Sequence, residues 1–562
     1  MNKRQSIINL VLITIILIFI NILGNYFFGR IDLSQEKKFT LTSATKKLLA
    51  NQKDIVYVKV LLEGEFPAGF KRLQKSTKEM LDDFRNNCPY IEYMFEDPNS
   101  GTTNDINARR KEMAKDGIVP VNLRVKDNNE TTEKMIYPYA VFNFADRKVV
   151  VNLLENEIPG VSPDVVLNNS IGLLEYKFAN AIEKLKSTKR ANILFTEGQG
   201  ELLPIQTQDL EKTLSQFYET GRLNLDSIVQ IKKEVDILVI AKPTQPFDDK
   251  KKFKIDQYIM NGGKVIWLIY RMNAELDSMQ NKLGDLVPYD YPLNIEDMLF
   301  KYGVRIQPNL VLDMECAKIP LRVGTMGNAS QFDLFPWYYY PLVSPYSSHP
   351  VVKNLDRIFL QFPSSIDTIR TKSDVKKTVL LASSKYSRAQ FTPATINFEI
   401  LRYDADKTKF NKPYQPLAVL LEGNFASSFE NRVSSEMQNS LASIGLPYKE
   451  FSSDTKMIVV ADGDIARNLV GKDGVPKPLG LSRFENRVYS SNKDFLLNSI
   501  EYMLDNNGII DARTREVKLR MLDVVKAKNE ETKWQLINIV TPLILLALFA
   551  FYYLWRRKKK YA

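Results

Sequence analysis

The chain has 562 residues, 44% hydrophobic and 25% charged, a balance that supports several folded domains and excludes a disordered or fibrous chain. Its net charge of +11 sits mostly at the two ends, since Lys3, Arg4, Arg556, Arg557, Lys558, Lys559 and Lys560 leave only +4 for everything between. That body interleaves acids and bases, as in KSTKEMLDDFR, and lacks the basic, aromatic-studded surface that nucleic-acid binding requires.

Arg4 and Arg30 enclose the uncharged run INLVLITIILIFINILGNYFFG, long enough at about 1.5 Å per residue to cross a hydrocarbon core of roughly 30 Å. No small-x-small cleavage site follows, because Asn25-Tyr26-Phe27-Phe28 occupies that position, so the sequence predicts an uncleaved anchor over 1–29. Next comes a juxtamembrane piece in which Thr42 or Ser43 is placed to cap a short helix. Residues 55–64 and 90–98 have strand composition, and between them Phe70, Leu73, Met80, Leu81 and Phe84 recur at helical spacing. A helix over 105–115, strands near 119–125, 135–144 and 148–154, and a helix over 165–185 complete a thioredoxin-like α/β unit within 30–188. It has no CxxC, so no redox chemistry accompanies the fold.

A second α/β unit spans 189–510. The strand ending in FTEGQGE, a helix over 207–218, the strand VDILVIAKP, a helix over 248–260 and the strand KVIWLI alternate as in a doubly wound parallel sheet of amidotransferase-like kind. From Asn294 the pattern loosens into a mixed C-terminal extension with an aromatic, proline-rich stretch, after which strands resume at 357–362, 378–383, 417–422 and 456–461. SNKDFLLNSIEYML reads as helix, with Gly508 suited to its C-terminal stop. A juxtamembrane segment, 511–533, leads to a second apolar run within 534–562, WQLINIVTPLILLALFAFYYLW. By the positive-inside rule both termini are cytoplasmic, and residues 30–533 lie across the inner membrane in the periplasm.

Ligands of doubly wound sheets sit beyond the carboxyl ends of strands, which makes Glu197, Gly198, Gln199, Gly200 and Glu201 a candidate ligand or partner rim. The loop is not a dinucleotide fingerprint: Leu202, Leu203 and Pro204 follow instead of a third glycine, and two acids would repel phosphate. A structural turn that needs glycine's backbone freedom is the favoured account of the loop. No G-x-x-x-x-G-K-[ST] occurs, so the chain has no P-loop of its own. Amidotransferase catalysis needs a cysteine nucleophile and a histidine base, yet no cysteine lies between Arg190 and Glu315, and the single histidine, His349, stands outside the alternating pattern as a surface or capping residue.

Tyr338, Tyr339 and Tyr340 could form a binding platform, or simply pack. Asp462 and Asp464, just after a strand, are a weak cation candidate; Ala466 stands where a phosphotransferase would carry a hydroxyl, and an Asp-Gly turn accounts for the pair. Cys88 and Cys316 are far apart and read as two buried, unpaired thiols. The residues call for no catalytic group, no metal and no cofactor.

RIDLSQEKKFTLTSATKKLL, LEGEFPAGFKRL, YIEYMFEDP, ILFTEGQGE, DILVIAKP with GGKVIWL, and NKDFLLNSIEYMLDNNGIIDARTREVKLRMLD before KWQLINIVTPLILL together resemble GldG. This is the gliding-associated auxiliary, substrate-binding component of an ABC transporter in Bacteroidetes. The resemblance covers nearly the whole chain and implies a multi-spanning permease and a cytoplasmic ATPase as partners. Gln199 replaces the histidine often found there in the family, which weakens any catalytic role for the loop. The expectation is a non-catalytic periplasmic auxiliary subunit moved through its anchors and the segments 30–50 and 511–533. The alternative is a free-standing, membrane-anchored binding module for envelope glycan or peptide.

Overall fold

The computed structural model describes residues 11–16, 18–19, 40–127, 130–155, 162–187, 189–279, 285–326, 329–401, 405–514 and 528–561. Residues 1–515 form one unit and 516–562 another. Of the N-terminal apolar run, only 11–16, 18 and 19 are described, as helix; the rest of that anchor and most of the 511–533 segment lie outside the described residues.

The larger unit begins with α1 (Ser43–Ala50), whose cap is Thr42: its Oγ1 accepts the Thr45 N–H at 3.2 Å. There follow β1 (Val56–Val60), α2 (Ala68–Asn87), β2 (Ile91–Phe95), α3 (Thr103–Lys115), a hairpin of β3 (Val121–Asp127) and β4 (Glu130–Ile136), then β5 (Tyr139–Phe144) and β6 (Arg147–Asn152). The chain continues into α4 (Pro163–Gly172) and α5 (Leu174–Lys186), two helices where the sequence predicts one. The sheet order is β2-β1-β5-β6, with β1 parallel to β2 and antiparallel to β5. Its core is built on α5, where the Phe178 ring meets Phe142 at 5.3 Å and Phe84 at 6.0 Å. Ile509, Ile510 and Ala512, from the far end of the unit, pack into this same core.

The second layer consists of β7 (Asn192–Glu197), α6 (Pro204–Leu214), β8 (Glu219–Asn224), β9 (Ile237–Ala241), α7 (Asp249–Met260), β10 (Lys264–Leu268) and α8 (Glu296–Tyr302). Beyond them come β11 (Asn309–Asp313), a long hairpin of β12 (Cys316–Met326) and β13 (Ala329–Val343), β14 (Val375–Ala382), β15 (Ser387–Phe391), β16 (Pro416–Gly423), α9 (Ser435–Ser443), β17 (Thr455–Val460) and α10 (Ser491–Leu504). Seven strands make one sheet in the order β14-β16-β17-β10-β9-β7-β8. The five from β17 to β8 are parallel, while β16 and β14 add antiparallel at one edge. The later strands β14, β16 and β17 therefore extend the sheet begun by β7 to β10.

Burial on both faces explains the unbroken apolar runs of the central strands. Ile266, Leu268, Ile458 and Val460 face α6 and α10, whereas Val265, Trp267, Met457 and Val459 face α7 and α8. In the smaller unit, α11 (Glu531–Tyr561) runs 31 residues. Among the described residues its Glu531–Lys559 portion is the one helix long and apolar enough to span a bilayer.

Candidate functional site at the carboxyl edge of the sheet

The parallel strands end along one edge, and each delivers a short polar turn there. After β7, Gly198 and Gly200 take left-handed backbone angles, φ +106° and +74°. The Gln199 N–H donates to Glu201 Oε2 at 2.6 Å, and the Gln199 carbonyl accepts the N–H groups of Thr244 and Gln245, both at 2.9 Å. A Cβ on Gly200 would overlap Thr244 Oγ1, so glycine is required both by conformation and by the closeness of the β9–α7 connection. Glu197 and the glycines are exposed, but Gln199 is only 1% exposed and Glu201 is largely covered. Both amide atoms of Gln199, Glu201 Oε1 and Thr196 Oγ1 are buried without a protein hydrogen-bond partner, an unusual concentration in one turn.

The next strand ends carry a charge network built on Asp462 and Asp464, the weak cation candidates, together with Lys242, Glu275, Tyr270 and Arg467, which the sequence does not single out. Lys242, directly after β9, is a non-glycine residue at φ +55° and only 7% exposed. Its Nζ donates to Asp464 Oδ1 at 3.0 Å, Asp464 Oδ2 at 3.1 Å and Glu275 Oε1 at 2.6 Å. Beyond β10, the Tyr270 hydroxyl lies 2.6 Å from the Gln361 carbonyl and 3.2 Å from Asp464 Oδ2. Beyond β17, Asp462 accepts the N–H groups of Gln361 and Asp464, each at 2.7 Å. Burial, reinforced by the Asp464 carboxylate, pushes the Asp462 carboxyl up to about 7. The Arg467 guanidinium completes the cluster, 3.4 Å from Asp464.

The chemistry of this cluster is self-contained. Lys242 and Arg467 offset Asp464 and Glu275, and the Lys242 ammonium holds the Asp464 face that a divalent cation would need. Among the described residues no group of three or more His, Cys, Asp or Glu side chains is arranged to hold a metal. The one sequence cue for Lys242 is a lysine that directly continues the apolar strand VDILVIA.

Tyr338, Tyr339 and Tyr340 lie in β13 and are buried. Tyr338 packs on Phe410 at 5.4 Å, Tyr339 donates its hydroxyl to Gln390 Oε1 at 2.9 Å, and Tyr340 meets Phe359 and Phe362 at 5.6 and 5.3 Å. Tyr340, Asp464, Arg467, Glu275 and Arg483 line a cavity of about 80 Å³, so the structure brings Tyr340 and Asp464 to one place. His349 is half-buried against Tyr502, its Nδ1 accepting the Val351 N–H at 3.3 Å. Cys88 and Cys316 are both free thiols; Cys88 is buried and Cys316 half-buried, with burial raising the Cys316 thiol to about 12.

A family model described as an ABC-type uncharacterized transport system matches residues 190–499, and a model for a domain of unknown function (DUF7088) matches 35–143. A Borreliella burgdorferi protein, described only as uncharacterized, is 24% identical over 556 residues, covering 97% of this chain and 96% of its own. Among solved structures, the N-terminal domain of mmIFT52 is 11% identical with a TM-score of 0.30, over 56% of this chain and 98% of that one. A ThuA-like protein from Parabacteroides merdae is 12% identical with a TM-score of 0.26, over 56% of this chain and 90% of that one.

Proposed function

Because the chain belongs to the ABC-type transport-system auxiliary family, matched over more than half its length, we propose that it is the non-catalytic auxiliary subunit of an ABC complex, working with a multi-spanning permease and a cytoplasmic ATPase. The observation that carries this reading is the family match over residues 190–499, most of the second layer. The self-neutralised Lys242–Asp464 cluster supports a structural, non-catalytic role for the carboxyl edge.

The larger unit is the periplasmic body, made of a thioredoxin-like layer over 30–188 and an amidotransferase-like layer over 189–510. The β2-β1-β5-β6 order with its inserted hairpin and the five parallel strands of the second sheet support those descriptions. α11 and the N-terminal run are its two membrane anchors, with both termini cytoplasmic. The resemblance to the gliding-associated component makes surface motility one process the complex would serve, beside export to the envelope.

Both ends of the body converge on α5. The Thr42 N–H donates to Glu175 Oε1 at 2.6 Å, and at the other end Ile509, Ile510 and Ala512 share the α5 core while the Arg513 guanidinium lies 5.0 Å over the Tyr176 ring. Movement arriving at Thr42 or at Ile509 and Ile510 would therefore reach the same helix. The test is substitution within the assembled complex. Glu197→Ala with Glu201→Ala should leave the ATPase co-eluting with the chain, whereas exchange of 534–555 for an unrelated spanning helix should release it. Release of the ATPase by the Glu197/Glu201 substitutions but not by the helix exchange would contradict the anchor as its attachment, and absence of any ATPase beside the unaltered chain would favour a free-standing binding module. With both native cysteines replaced, Val229→Cys should react with a membrane-impermeant maleimide in intact spheroplasts, and Lys559→Cys only after lysis; the reverse would overturn the topology.

A further inference from the structure

A wide groove lies away from the carboxyl edge, between α7 and α9. This groove has a volume of about 1240 Å³, larger than the roughly 300–1,000 Å³ of ordinary small-molecule clefts. One wall carries Phe253 of α7, braced edge-on by Phe429 at 5.2 Å and stacked by Tyr448 at 6.2 Å. The other is α9, a nine-residue helix capped by Ser434 and with no buried residue. Met437, Leu441 and Ile444 recur at i, i+4 and i+7 along α9 and its C-cap, and all three line the groove. Met437 is 49% and Ile444 63% exposed, so an apolar stripe of the sort that normally faces a core is left open. Val229, 75% exposed, extends the apolar surface from the loop before β9.

The charge around this stripe is one-sided. Seven lysine and arginine side chains line the groove against three aspartates. Of the acids, Asp297 is engaged by Lys252 at 2.6 Å and Arg432 at 3.7 Å, and Asp236 accepts the Asn192 N–H at 2.8 Å. Lys233, Lys250 and Lys449 are exposed and have no ion-pair partner among the described residues. An apolar trough between two helices, rimmed by unpaired ammonium groups, has the physical requirements of a helix-in-groove site.

The geometry points to this groove as the docking site for an acidic amphipathic helix of a partner protein. The partner's leucine-like anchors lie between Phe253 and the Met437–Ile444 stripe, and its carboxylates face Lys233, Lys250 and Lys449. Cationic segments and neutral glycans lack the complement to this rim. The inference goes beyond the subunit reading and is measured on the purified chain alone, so the failure of one leaves the other standing.

The test uses the full chain in phosphatidylcholine nanodiscs and a fluorescent synthetic helix of about 15 residues, with leucines at i, i+3, i+4 and i+7 and glutamates elsewhere. Anisotropy should report saturable binding at least about tenfold tighter than for the same peptide with lysines in place of glutamates, weakening as salt rises. Met437→Glu with Ile444→Glu should lower affinity at least about tenfold, as should Lys250→Glu with Lys449→Glu. These positions are exposed, and an unchanged unfolding transition serves as the control for folding. Absence of binding, equal affinity for both peptides, or affinity unchanged in both variants would overturn the assignment. So would chain dimerisation abolished by Ile444→Glu, which would give the groove to a second copy.

Discussion

Two titratable residues, the buried Asp462 and the half-buried His349, act on stability in opposite directions. Asp462, raised to about 7, binds its proton more tightly in the folded chain, so its contribution is full below the ordinary carboxylate value of about 4 and is lost as pH rises through 7. His349 is lowered to about 4 by burial, so its contribution is full above about 6.5 and is lost as pH falls towards 4. Over the shared window the slopes oppose, and the denaturation midpoint of the unaltered chain should change little. Asp462→Asn should expose a stability that rises with pH, and His349→Asn, which keeps an acceptor for the Val351 N–H, one that falls. Parallel profiles for all three proteins would contradict this assignment. Gly200→Ala meets both a left-handed backbone and Thr244 Oγ1, and should cost about 1–3 kcal/mol in chemical denaturation. Thr244→Ala should recover only the steric part. The glycines of this turn were legible because only glycine takes those angles freely. Lys242 was not, since a lysine after an apolar strand reads as the start of a solvated loop until its carboxylate partners, over 200 positions away for Asp464, are brought beside it.

At the scale of elements, apolar strands with helices between them were readable because their burial on two faces leaves long Val/Ile/Leu runs. The edge strand β8, ETGRLN, was missed because one side of it is open and no apolar alternation is needed. The β12–β13 hairpin was obscured by Pro320, Pro336 and Pro341, which its interruptions of register and its place outside the large sheet accommodate. α10 stops at Leu504, ahead of Gly508, because the Asp505 carboxylate takes the N–H groups of Asn507, Gly508 and Ile510 at 2.9, 2.8 and 2.7 Å. Glu501 of α10 joins the two layers, accepting Lys184 Nζ at 2.6 Å, Asn180 Nδ2 at 3.1 Å and the Tyr176 hydroxyl, all from α5. Burial raises its carboxyl, but Lys184 and these hydrogen bonds outweigh that and hold it below the usual value. Glu501→Ala leaves Lys184 without its partner and should cost about 2–4 kcal/mol, with α5 losing hydrogen-exchange protection before the large sheet does. Uniform loss across both layers would contradict Glu501 as their link.

For the whole molecule, sequence was most informative at the C-terminal end, where the apolar run within 534–562 falls in α11, and least informative about how distant segments meet. Nothing in IIDART announces that Ile509 and Ile510 will pack beside α5, more than 300 residues earlier, because that contact depends on the path of the entire second layer. The return holds the first and last described segments of the body on one helix, α5. The central claim is that this chain works as one subunit of an ABC complex. Its most direct measurement is native mass spectrometry of the full chain, affinity-purified from its own membranes in mild detergent without crosslinker. The account predicts a complex of defined stoichiometry containing a multi-spanning permease and a P-loop ATPase; recovery of this chain alone, or only with copies of itself, would contradict it.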